Sequence, residues 1–338
     1  MDELSNINEE ELSEELKNII SSRFPLVRTE INVGWIGTGK IGNILASNLI
    51  SGGYDSMYVY NRTVKKTEPL QEWGANLAED IKMIADKTNF IFITVGTTAE
   101  VSDIFYGKKG LLENLKVGTI IVDMTTGSPT LSKKLNRDCL NKQCFYLDAP
   151  IIGNEETIKN KKGSMVVGGN REVYKGMLPI FFALCNSVNY CGLSGNGQNT
   201  KLSNQIIISM NMIGIVESLL YSYKAGLDIN ITIHSLAVGT ASSWCFSNYT
   251  QKIEERNFND GLYVKYFVND LETVLNESYK LGLALPGLSL AKQLFLALKA
   301  QGNELKGIHS LILALESLNN TRIEKKIVCK TDISSGIM

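Results

Sequence analysis

The sequence predicts an α/β fold in which a half built from alternating strands and helices is followed by an all-α half. Three observations predict it. From Ile31 onward, short β-branched runs alternate with amphipathic stretches, the pattern of βαβ units on a parallel sheet. After the glycine-rich stretch Gly192 to Gly197 the alternation stops, and only helical spacing continues to about Leu318. The chain has 338 residues, more than one core usually serves, so two domains are expected. The expected division is an acidic extension over 1–29, a strand-bearing domain over 30–194, a helical domain over 195–322 and a polar tail over 323–338.

The strands expected are Ile31 to Ile36, Met57 to Tyr60, Phe90 to Val95, Thr119 to Asp123, Phe145 to Asp148, Met165 to Val167 and Val188 to Cys191. Between them, Ile41 to Ile50, Leu77 to Ala85, Pro129 to Leu140 and Arg171 to Leu184 have helical lengths and spacing. The run Ile206 to Tyr221 is apolar nearly all round, but Ser209, Asn211 and Glu217 interrupt it. It falls short of the roughly 20 residues a membrane span requires, so a long buried helix is expected. In the extension, the weak period of Leu12, Leu16 and Ile19 suggests an appended tail or docking helix.

Composition narrows the function classes. Apolar residues make up 44% and charged residues 20%, with net charge -1, so nothing in bulk charge draws the chain to nucleic acid or a membrane surface. The six cysteines follow no metal-ligand spacing, and the N-terminal stretch carries no signal-peptide or presequence pattern. Structural thiols and a cytoplasmic location are the expectation. His234 and His309 are the only histidines, too few for a histidine-rich metal site or a hydrolase triad, and each reads as structural. No metal is expected.

The first chemical signal is Gly37-Thr38-Gly39-Lys40-Ile41-Gly42, which directly follows the first strand and opens the first helix of the alternating half. There the glycines permit a tight turn and a close backbone approach, so that a pyrophosphate can rest on helix N-terminal amides. About 20 residues on, where an acidic residue usually accepts from the ribose 2′-hydroxyl of NAD, stand Asn61, Arg62 and Thr63. A guanidinium beside a hydroxyl suits a 2′-phosphate, so NADP is expected, with NAD possible.

The second signal is the segment Gly195 to Gln205, where Lys201 and Asn204 share one helix face. A lysine beside a cationic nicotinamide in a poorly hydrated cleft can exchange its proton with a carbonyl or hydroxyl oxygen. Alone, this pattern reads more readily as a surface lysine at a helix start.

Taken in order, these motifs resemble the β-hydroxyacid dehydrogenases, a family that includes 3-hydroxyisobutyrate dehydrogenases and semialdehyde reductases. The resemblance spans about Asn32 to Leu318 and adds Tyr60 to Thr63, Val122-Asp123-Met124-Thr125-Thr126, Asp148-Ala149-Pro150 and the Asp270-Leu271 pair. It implies a Rossmann-like N-terminal domain, an all-α C-terminal domain and a homodimer or homotetramer. It further implies Lys201 as the acid/base and a cofactor lying along Val95, Gly96, Thr126 and Asn269. Thr126, Ile152, Gly153, Asn204, Trp244 and Asp270 are the residues it places toward a small-molecule substrate.

The departures gather at the substrate end. Where the family reads Asp-Ala-Pro-x-Ser-Gly-Gly, this chain has Ile152 for the serine that receives a substrate carboxylate, followed by Gly153-Asn154. The family's Lys-Asp pair is Asn269-Asp270, and a common upstream aromatic is Leu262. Backbone amides at Gly153 and Asn154 are the alternative receivers of an anion. Three activities fit: reduction of a semialdehyde or other small carbonyl, reduction of an imine, or nucleotide binding by a retired enzyme acting as a scaffold.

Overall fold

The computed structural model describes residues 12–259 and 261–324. Residues 1–11 of the expected extension, Cys329 and all but the first two residues of the expected tail lie outside them.

The strands of the first unit follow the β-branched runs. They are β1 (Val33–Ile36), β2 (Met57–Tyr60), β3 (Asn76–Leu77), β4 (Phe90–Ile93), β5 (Ile120–Asp123), β6 (Phe145–Asp148), β7 (Ile151–Ile152), β8 (Ser164–Gly169) and β9 (Ser187–Gly192). They form one sheet in the order β3-β2-β1-β4-β5-β6-β8-β7, with β9 pairing beside β8. Side chains alternate between its faces. Trp35, Phe90, Phe92, Ile120 and Val122 enter one core, while Ile36, Ile91, Ile93 and Ile121 enter the other. Both faces are buried, hence the nearly continuous apolar runs of a parallel sheet.

The helices around this sheet are α1 (Glu14–Arg23), α2 (Lys40–Ser51), α3 (Glu68–Gln71), α4 (Ile81–Lys87), α5 (Thr98–Tyr106), α6 (Leu111–Asn114), α7 (Pro129–Leu140), α8 (Glu155–Lys159) and α9 (Arg171–Leu184). Helix α1 is docked: Leu12 and Ile20 join the first core, Leu16, Ile19 and Phe24 pack against it, and Arg23 donates to the Gly118 carbonyl at 3.1 Å. Of the two readings of the extension, tail or docking helix, residues 12–29 follow the docking helix and belong to the strand-bearing unit.

Three local expectations are corrected. Leu77 belongs to β3, and the helix begins only at Ile81, where Asp80 caps it by accepting from the Met83 amide at 2.8 Å. Strands β3 and β7 have two residues each, too short to show a period. The sheet is not wholly parallel, since β8 runs antiparallel to β6 and β7. The connection from β7 to β8 holds only the five-residue α8, less than a crossover needs.

The remaining helices are α10 (Asn196–Lys224), α11 (Ile229–Ala237), α12 (Trp244–Glu254), α13 (Val264–Lys280), α14 (Pro286–Ala300) and α15 (Leu311–Leu318). Helix α10 has 29 residues, long and apolar enough by length and composition to cross a membrane. It is not buried all round as expected: Met212, Ile215, Val216 and Leu219 are buried, whereas Ile207 and Tyr221 are 61% and 75% exposed. In the helical unit Phe267 meets Phe295 edge-on at 4.9 Å, and Arg256 pairs with the buried Glu316 at 2.6 Å. His309 is buried, stacks on Tyr249 at 5.0 Å and bonds the Asn257 carbonyl at 2.8 Å, a structural position. The five cysteines among the described residues are free thiols, four of them buried.

The compact units divide differently from the expected 194/195 boundary. One holds the described residues up to Asn204 together with Thr273–Leu283; the other holds Gln205–Glu272 and the described residues from Ala284. Hydrogen bonds explain both shifts. Asp148 at the end of β6 fastens the first turn of α10. Ser128 and Thr130 donate to Glu277 at 2.7 and 2.8 Å, which draws the end of α13 to the strand-bearing unit.

Candidate active site

The glycine fingerprint sits where β1 meets α2, at the carboxyl ends of the parallel strands and at the switch point between β1 and β4. Gly37 has φ +95°, and a Cβ there would lie 2.2 Å from the Thr94 carbonyl; a Cβ at Gly42 would lie 2.1 Å from that of Gly37. Both positions require glycine. Gly39, by contrast, faces open space, at the N-cap of a helix with no acidic residue in its first turn. Trp35 Nε1 donates to the Gly37 carbonyl, Thr38 N to Asn61 Oδ1 at 3.1 Å, and Asn43 Nδ2 to the Thr38 carbonyl at 2.8 Å. Three buried side-chain oxygens here, Thr38 Oγ1, Asn43 Oδ1 and Thr94 Oγ1, have no partner among the described residues. The two threonine hydroxyls among them can donate, and beside an open helix N-terminus they fit a polyphosphate-bearing ligand.

Beside this loop, Asn61 is committed to the backbone, since its Nδ2 also donates to the Thr63 carbonyl at 2.9 Å. Arg62 is 86% exposed, and its Nη2 lies 3.4 Å from Glu100 Oε1. Lys40 lies 3.6 Å from Glu155. At the end of β4 the amides expected along a cofactor are engaged: Val95 N donates to Thr125 Oγ1 at 3.1 Å and Gly96 N to Glu100 Oε2 at 2.8 Å.

The lysine is positioned by a buried network. Asp148 accepts from Gly195 N at 2.7 Å and Gln198 N at 2.8 Å, while the Gln198 side chain accepts from Gly127 N and donates to the Thr125 carbonyl. Burial pushes the Asp148 carboxyl up to about 7 and that of Asp123, held by Thr125 N and Tyr146 Oη, up to about 6. Less than one turn beyond Gln198, Lys201 is 8% exposed and its Nζ donates to the Ile151 carbonyl at 2.9 Å. The ammonium is thus tied to the strand that carries Ile152.

The sequence matches the model of the NAD binding domain of 6-phosphogluconate dehydrogenase over residues 32–192. Over 195–315 it matches the NAD-binding model of NADP-dependent 3-hydroxyisobutyrate dehydrogenase. It is 41% identical to the probable 3-hydroxyisobutyrate dehydrogenase-like protein 1, mitochondrial, of Arabidopsis thaliana, over 86% of this chain and 87% of that one. This chain belongs to the β-hydroxyacid dehydrogenase family of NAD(P)-dependent oxidoreductases. Another relative is the 2-hydroxy-3-oxopropionate reductase of Escherichia coli K12, 30% identical over 87% of this chain and all of that one. The fold matches a Mycobacterium tuberculosis 3-hydroxyisobutyrate dehydrogenase with TM-score 0.77 at 17% identity, covering 84% of this chain and 99% of that one.

In this β-hydroxyacid dehydrogenase the fingerprint, Asn61 to Thr63, Val95, Gly96, Thr126, Ile152, Gly153, Lys201 and Asn204 all belong to the first unit. Thr126 is half-buried beside the buried Thr125. Of the two amides considered as anion receivers, Asn154 N is taken: it donates to Thr157 Oγ1 at 2.8 Å in the capping box of α8. Trp244, Asn269 and Asp270 belong to the helical unit. There Asp270 is 7% exposed and accepts from Gln205 Nε2 at 2.5 Å, and Trp244 is 48% exposed with its ring edge-on to Tyr249. The roles of Glu100, Thr125, Asp148 and Gln198 were not read from the sequence. Thr125, Asp148 and Gln198 lie inside the motifs that carry the resemblance, and Glu100 ends the capping pattern Thr97-x-x-Glu100.

Proposed function

We propose that this protein is an NADP-dependent oxidoreductase that interconverts a small hydroxy acid or alcohol with its semialdehyde or carbonyl form. The cofactor supplies the hydride chemistry. What the chain supplies is binding and one proton. The fingerprint amides and Arg62 hold the pyrophosphate and the 2′-phosphate, Thr126, Gly153 and Asn204 surround the substrate, and Lys201 exchanges a proton with its oxygen.

The observation that carries this reading is Lys201 itself, buried and aimed by the Ile151 carbonyl at the strand end next to Ile152. A buried ammonium costs several kcal/mol in desolvation, and a chain under no demand for proton transfer has little reason to keep one there. The expected result is that Lys201→Ala loses at least about 10²-fold in kcat while NADPH affinity stays within about twofold. Steady-state NADPH oxidation against a panel of carbonyls and imines, paired with calorimetric titration, measures both. Intact turnover in the variant would remove Lys201 from the mechanism. Absence of turnover on every substrate in wild type, with normal nucleotide binding, would support a scaffold instead, and preference for imines an imine reductase.

A further inference from the structure

We propose that Glu100 is a specificity-determining residue that holds down this enzyme's discrimination in favour of NADP over NAD. The inference rests on the reading that Arg62 receives the 2′-phosphate. Glu100 is fixed in place at the first turn of α5: Thr97 caps the helix, and Glu100 Oε2 reaches back to the Gly96 amide at 2.8 Å. With one oxygen anchored, the other is presented to Arg62 Nη2 at 3.4 Å. A phosphate carried by that guanidinium would therefore stand within a few ångströms of a carboxylate anchored on the Gly96 amide. The two anions share one cation.

The consequence differs for the two nucleotides. A 2′-phosphate carries close to two negative charges, and Glu100 both repels it and offsets part of the attraction of Arg62. The 2′-hydroxyl of NAD carries no charge and meets no such opposition. The pair is also exposed, 86% on the Arg62 side, so their mutual attraction is weak and the guanidinium is not locked away from a ligand. Glu100 thus leaves Arg62 available while narrowing the ratio of affinities for the two cofactors.

The ordinary role of such a residue is to cap a helix, and one substitution separates charge from capping. In Glu100→Gln the amide oxygen still accepts from Gly96 N, so α5 keeps its cap while the negative charge is lost. NADPH affinity, read by calorimetric titration, is expected to rise about three- to tenfold, with NADH affinity within about twofold of wild type. The gain should shrink at about 0.5 M salt, where exposed charges are screened. An unchanged NADPH-to-NADH ratio, or weaker NADPH binding, in Glu100→Gln would overturn the inference. Arg62→Ala, measured alongside, tests the underlying site: loss of about tenfold or more in NADPH affinity with NADH unaffected supports it. Equal affinities for both cofactors in wild type, unaltered by Arg62→Ala, would overturn the 2′-phosphate reading itself.

Discussion

Ile152 offers a substrate carboxylate no hydrogen bond where a serine would offer one, and the Asn154 amide next along is already given to Thr157. Burying an anion's oxygen against a methyl group costs roughly 1 to 3 kcal/mol relative to a paired one. The expected outcome is that neutral short carbonyls are turned over better than matched short carboxylates, and that Ile152→Ser shifts kcat/KM toward the carboxylates by about tenfold. Equal efficiency on both classes in wild type would refute it. Asp123 shows burial acting on charge in a different way. Its carboxyl, raised to about 6 by burial against 3.8 unfolded, keeps its proton in the fold when the unfolded chain has lost it. The stability this contributes is full below about 4 and is lost as pH rises through about 6. Asp123→Asn keeps an acceptor for Thr125 N and can donate to Tyr146, so its stability relative to wild type should rise between pH 4 and 7 by on the order of 2 kcal/mol. Denaturation curves at several pH values check it; a difference independent of pH would contradict it.

At the scale of the element, the first turn of α10 joins the sheet to the chemistry. Gln198 is fully buried and bridges the Thr125 carbonyl and the Gly127 amide, less than one turn before Lys201. Gln198→Leu leaves two buried backbone groups unpaired, at about 1 to 3 kcal/mol each. A fall in Tm of several degrees is expected, together with a larger loss in kcat than in NADPH affinity because the anchor of Lys201 is loosened. A Tm shift under about 1 °C would show that the bridge does not hold the helix. The glycine beside it is equally constrained, since a Cβ on Gly197 would meet the Asp148 and Val166 carbonyls at 2.4 and 2.7 Å. This packing explains why the helix begins in the strand-bearing unit although its sequence reads as the start of the helical one.

For the whole molecule, we propose a cytoplasmic homodimer or homotetramer acting on a small-molecule substrate, with neither nucleic acid nor membrane as partner. The support for self-association lies in the helical unit, where Tyr221, Ile231, Val238 and Leu290 expose 75%, 67%, 91% and 55% of their surface. Of these, Tyr221 and Leu290 line one surface hollow together, and contiguous exposed apolar surface marks association sites. Light scattering at micromolar concentration should give two or four times the 37.3 kDa chain mass, and a monomer would contradict the proposal.

The sequence by itself determined the fold class, the positions of the major strands along the chain and the glycine fingerprint, because periodicity and glycine spacing are local properties of the chain. Strands β2 and β6 and helices α7 and α9 follow their apolar patterns residue for residue. Only the tertiary structure decided what each polar group is paired with. That Gly96 and Asn154 spend their amides on Glu100 and Thr157, that Asp148 and Gln198 carry the helix bearing Lys201, and that the units divide inside α10 all depend on hydrogen bonds, several of them between residues tens of positions apart. A buried donor or acceptor must find a partner wherever the fold places one, and sequence spacing carries no record of that choice.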